Sequence, residues 1–387
     1  MINVSRVNNW LKARWQLILF LAILVGLFGY VYRDLFQWQM LAMFDLAPWF
    51  RTPAEAYTDF SSSWSHLWLG AHIVLGPGDF ILQSSLITLF GGNAAMAQRI
   101  FWLSILPLSA ITMRILLGRF TSSNIAKLII PIAYAINGMT ICWFQIGNYS
   151  FLPQYIFFPL QMLYLIKILE EKERRLLYVL IFSAIYALQV SWVVYGVLYL
   201  IPFLVVFFLV EAIKRRNWGY TIKTAFLLMA SFGIIFLLIA PVGFDQLLNM
   251  VGYYTKPTGS FGYYASWPVE YLVLATEAAF SWKDTVDMFN SLTYFLGFFA
   301  LGTLLVRHRI RLKYYLSLLL VATLLLLFAR LIAVGLILEQ FIYFPVLFVL
   351  MHPAKLGMLT SWSFFLMMAI LINEVEARIA LPHKATL

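Results

Sequence analysis

Ten separate runs of this chain are long and apolar enough to cross a bilayer, and that repetition constrains the fold more than any motif. They cover roughly residues 15–32, 98–117, 128–147, 152–169, 176–193, 195–213, 221–242, 290–306, 314–333 and 357–373. Backbone N–H and C=O groups find no water in hydrocarbon, so runs of this kind become helices that satisfy themselves. Composition agrees. Of 387 residues 63% are hydrophobic and 11% charged, against about 25% charged in a soluble domain. The expected fold is all-α, a polytopic transmembrane bundle forming one domain over 1–387.

Charge placement orients the bundle. With the N-terminus in the cytoplasm, 20 of the 27 Lys and Arg residues fall on the cytoplasmic side and seven on the other. The acidic residues lean outward, 11 of 17. The basic residues sit in short links, as the positive-inside rule demands, so the net charge of +10 reflects topology and not nucleic-acid binding. Both termini are expected in the cytoplasm. Trp15–Tyr32 resembles a signal peptide but lacks a small-residue cleavage site, and it reads as a retained first span. The single Cys142 excludes an intrachain disulfide.

Three outer segments stand apart. The first, 33–98, is dense in polar and aromatic residues, among them Asp34, Asp45, Arg51, Trp64 and His66. Within it Phe80–Phe90 is too short to span, is bounded by Pro77-Gly78 and Gly91-Gly92, and reads as an interfacial helix. Counting it as a span would move Arg114, Arg119 and Lys127 outside and break the charge rule. The second, 243–289, is long and rich in Tyr and Trp, and suits a mobile flap. The third, Val334–Leu356, carries His352 and Lys355.

No phosphate-cradling glycine loop, dinucleotide fingerprint or zinc spacing occurs. The spans hold almost no ionisable residues at mid-depth, which argues against an ion pathway. His66 and His72 are six residues apart and share no helical face, so no metal site is expected from them.

Against that background the order of motifs resembles a known family. Phe44-Asp45-Leu46-Ala47-Pro48 is followed by Pro53, Ser62-Ser63-Trp64, Gly70, Gly91-Gly92, Ala97-Gln98-Arg99-Ile100-Phe101-Trp102 and Met351-His352-Pro353-Ala354-Lys355. This is similar to the membrane region of the GT-C superfamily of glycosyltransferases, particularly the arabinofuranosyltransferase-like (mycobacterial type) proteins. One position departs, with His352 standing where an arginine is expected. The resemblance implies interfacial helices in the outer loops and an outer-facing cavity in a prokaryotic plasma membrane. It also implies sugar transfer, with inversion, from a polyprenyl-phosphate donor to a saccharide, lipid or protein acceptor.

Inverting transfer needs a base for the acceptor hydroxyl and cations for the departing phosphate. The resemblance assigns the base to Asp45, with Asp34 as runner-up, and the phosphate to Arg99 and Lys355. His352 and Arg51 lie on the same outer side. Glu270, Trp64 and His66 are candidates for the acceptor cavity. Each has a plainer role available: a solvated carboxylate, an interfacial anchor, a cation reaching for headgroups. No cofactor is expected, and a divalent cation at the phosphate is compatible with the chemistry. The alternative function is a transporter or flippase of a lipid-linked saccharide. That activity would place ionisable groups at mid-bilayer on discontinuous helices, a pattern the chain lacks.

Overall fold

The structure is a computed structural model that describes residues 4–31, 84–137, 140, 153–171, 173–192, 204, 208–209, 211–213, 216, 218–239, 362, 365–366, 368–377 and 379. Among these residues the chain is entirely helical, with turns and no strand. Six helices are delimited: α1 Val4–Val31, α2 Ala94–Phe120, α3 Asn124–Ala135, α4 Gln154–Glu170, α5 Arg175–Trp192 and α6 Trp218–Ile239. Two stretches, Ala94–Phe120 and Trp218–Ile235, are long and apolar enough to cross a membrane. The outer segments 243–289 and 334–356 and the expected spans 290–306 and 314–333 lie outside the described residues.

Local sequence sets the helix ends. A short helix over 84–89 closes at Gly91 and Gly92, whose φ angles of 63° and 87° are in the left-handed region. Gly92 N donates to Ile87 O at 2.8 Å and Gly91 N to Thr88 O at 3.1 Å, the paired bonds of a Schellman stop. The glycines thus end this short helix at the C-terminal boundary expected from the sequence. Asn93 then starts α2 by accepting from Met96 N at 3.0 Å. Ser123 starts α3 in the same way, accepting from Ala126 N at 2.9 Å.

The helix expected over 128–147 differs. α3 begins earlier and stops at Ala135. Asn137 Nδ2 takes the Tyr134 carbonyl at 2.7 Å, and Thr140 Oγ1 takes the Ala135 carbonyl at 2.8 Å. Side chains thereby occupy acceptors that a continuing helix would use. Thr140 is again helical, and residues 138–139 and 141–147 of the expected span lie outside the described residues.

α4 is the centre of the bundle. It packs against α2 on one side and α5 on the other, α3 packs on α2, and α6 packs on α5. Its Phe158, Met162, Leu165, Ile168 and Leu169 are almost fully buried. The Tyr186 and Phe232 rings, 4.5 Å apart, join α5 to α6. The far side of α6 is bare: Ile222, Phe226, Met229 and Ile234 are each more than 60% exposed. Ile222, Phe226 and Met229, four and three residues apart, share one helical face, which suits lipid contact.

Candidate functional site

The two ends of the bundle differ in chemistry. At one end Arg119 Nη2 meets Glu171 Oε1 at 2.6 Å, joining the C-terminus of α2 to that of α4. These helices therefore run parallel. Tyr178 at the start of α5 donates to Glu171 Oε2 at 2.7 Å. Arg175 stacks on Tyr220 of α6 at 4.5 Å and donates to its hydroxyl at 2.5 Å. Lys167 Nζ is nearly equidistant from the Tyr164 and Tyr178 rings, 5.1 and 5.0 Å from their centroids. The hydrogen bond from Tyr178, followed by that from Arg119, holds the Glu171 carboxyl below its ordinary value. Basic residues of two links that charge counting assigns to one face, with Tyr220 from a third, are thus gathered at one end.

Asn373 closes the same end. Its Oδ1 accepts from Thr121 Oγ1 at 2.9 Å, Ser122 N at 2.8 Å, Ser122 Oγ at 2.9 Å and Ser123 N at 3.1 Å. One amide oxygen therefore ties the helical residues 368–377 to the whole α2–α3 turn.

The opposite end carries the candidate donor-binding cation. Arg99 lies twenty residues before Arg119 in one helix, about 30 Å away at 1.5 Å per residue. It is 6% exposed, beside the fully buried Gln98 and the nearly buried Trp102. Burying a guanidinium is costly without anionic or carbonyl partners, so such a position suits a group that engages a ligand or a polar network. α2 delivers it because Asn93 caps the helix and fixes where the first turns begin.

At the same end three glutamines form a ladder inside the bundle. Gln161 of α4 donates its Nε2 to Gln189 Oε1 of α5, and Gln189 Nε2 donates to Gln154 Oε1 at the start of α4. All three are fully buried. Sequence reading missed them because lone glutamines in apolar runs look incidental. The usable signal was spacing: Gln154 and Gln161 are seven apart, two helical turns, and so share one face.

Of the sequence-derived site residues, Arg99 alone falls among the described residues. Asp45, Asp34, Lys355, His352, Arg51, Glu270, Trp64 and His66 lie outside them, so their convergence on Arg99 is not described. Among the described residues no cluster of three or more His, Cys, Asp or Glu could hold a metal ion.

No protein-family model and no curated protein matches the chain. A solved structure to which it is similar is the archaeal oligosaccharyltransferase AglB from Archaeoglobus fulgidus, in complex with an inhibitory peptide and a dolichol-phosphate. The identity is 13% and the TM-score 0.49. The match covers 97% of this chain and 52% of that one, so the chain spans about half the length of the protein it matches.

Proposed function

We propose that the chain is a membrane glycosyltransferase of the GT-C type. In this reading it moves a sugar, with inversion, from a polyprenyl-phosphate donor to an acceptor at the outer face. The observation that carries it is the seat of Arg99. A buried guanidinium on the first turns of a long helix follows directly on the loop that holds Asp45, at the end of the bundle away from the basic links. The positive-inside rule makes that end the outer one, with ten spans and both termini cytoplasmic.

The residues then divide the work. Asp45 takes the proton from the acceptor hydroxyl as its oxygen attacks the anomeric carbon. The bond from that carbon to the phosphate oxygen breaks, and the polyprenyl phosphate leaves carrying the electron pair. Arg99 and Lys355 hold the phosphate, Arg through a bidentate fork and Lys as a point charge. His352 and Arg51 are further donors on the same side, Asp34 is the second choice of base, and Glu270, Trp64 and His66 line the acceptor side. The scheme uses no cofactor; loss of turnover on chelation would add a divalent cation at the phosphate.

The deciding experiment is kinetic. Asp45→Asn keeps the shape but cannot take a proton, so turnover should fall roughly 100-fold with donor affinity little changed. Turnover near that of the unaltered protein removes Asp45 from the mechanism. Transport of a lipid-linked saccharide without bond cleavage replaces the reading altogether.

A further inference from the structure

Two prolines inside helices create the same defect, and neighbouring helices repair it the same way. Proline has no N–H, so the carbonyl four residues earlier loses its helical donor. In α3 that carbonyl belongs to Lys127, four before Pro131; in α4 it belongs to Tyr155, four before Pro159. Arg114 of α2 donates Nη1 to Lys127 O at 2.5 Å. Tyr134 of α3 donates its hydroxyl to Tyr155 O at 2.9 Å. A freed carbonyl in an apolar setting has to find such a donor, and a neighbouring helix is a recognised source.

Both donors are held in place. The Arg114 guanidinium lies 4.6 Å from the centroid of the Phe20 ring on α1. Tyr134 is fully buried, with its ring 5.1 Å from that of Tyr155 and edge-on to Phe365 at 5.9 Å. Pro107 in α2 is different. There the hydroxyls of Ser104 and Ser109 bond to Phe101 O and Ile105 O of the same helix, on either side of the freed Leu103 carbonyl.

We propose that these two contacts are latches on proline hinges and that α3 is the strut between them. α3 is caught near one end through Lys127 and catches α4 near the other through Tyr134. While the Tyr134 latch is closed, the first turn of α4 is fixed and Gln154 stays on the glutamine ladder with Gln189. When it opens, the segment ahead of Pro159 can swing at the polar end of the bundle. The device needs only the hydroxyl-to-carbonyl bond, and it stands apart from the proposed transfer reaction.

The test is amide hydrogen exchange on the full chain in lipid nanodiscs. Tyr134→Phe removes the hydroxyl and keeps the ring. Exchange in the first half of α4 should rise on the order of fivefold, the factor expected for one net hydrogen bond, while α6 is unchanged. Pro159→Ala supplies the missing N–H, so in that background Tyr134→Phe should add nothing. No rise in α4, or an equal rise in both backgrounds, overturns the latch. Should Tyr134→Phe fold poorly, rescue by Pro159→Ala supports the proposal and failure of rescue overturns it. The matched pair, Arg114→Gln with and without Pro131→Ala, reads the second latch in α3.

Discussion

Arg119 and Glu171 meet at 2.6 Å although 52 residues separate them, and this contact aligns α2 with α4. It also predicts a pH response. The Glu171 carboxyl is held below its ordinary value of 4.5, first by Tyr178 and then by Arg119. A depressed carboxylate contributes stability that is present above the unfolded value and lost as pH falls through the folded one. The thermal midpoint in detergent should therefore drop more steeply for the native chain than for Glu171→Gln once the pH goes below 4.5. Both side chains are more than a third exposed, so the effect should be small and weakened by salt. Parallel curves for the two proteins would show that the pair contributes nothing.

Asn373 should matter more. Replacing it with Ala takes the acceptor from Thr121 Oγ1, Ser122 N and Ser122 Oγ, while Ser123 N keeps Thr121 Oγ1 at 2.9 Å; the loss should be about 2–3 kcal/mol. Asn373→Asp keeps an oxygen among those four donors, and they favour its charged form. It should retain more stability than Asn373→Ala at neutral pH. A thermal-shift comparison of the two variants checks the order, and the reverse order would mean that burying the charge outweighs the donors.

The glutamine ladder predicts a result that depends on how many members are removed. Gln189→Leu strands Gln154 Oε1 and Gln161 Nε2 in the interior, at a cost of about 1–2 kcal/mol. Changing Gln154, Gln161 and Gln189 to Leu together removes the polar groups as well and should be less destabilising than the single change. Denaturation from detergent micelles measures both.

Arg99 gives the prediction closest to function. If it grips the donor phosphate, Arg99→Ala should weaken donor binding by about 1.5–3 kcal/mol, a rise in Kd of roughly 10- to 150-fold. Arg99→Lys should recover only part of that, because the fork is lost. A binding titration with a polyprenyl phosphate tests this directly. An unchanged Kd in folded Arg99→Ala would leave the cation as a structural anchor.

Topology can be tested without any substrate. A cysteine replacing Ser260 should label from outside and one replacing Arg309 only from inside, in a background where Cys142 is removed. Labelling of position 309 from outside would break the ten-span arrangement.

Hydropathy, charge and a few small residues carried much of this in the linear chain. Apolar runs fix where helices form, because a bilayer leaves the backbone no other way to satisfy itself. The Gly91-Gly92 pair fixes a helix stop through its φ angles, and the basic links fix which residues share a face. Those properties are local or additive, so order along the chain is enough to read them. The ladder of Gln154, Gln189 and Gln161, the clasp of Asn373 and the pairing of Tyr134 with the carbonyl freed by Pro159 are of another kind. Each joins groups 21 to 252 residues apart, and a hydrogen bond is decided by distance and angle between groups that only packing brings together. Sequence alone shows a proline and an orphaned carbonyl. Which neighbour supplies the donor is decided by the tertiary structure.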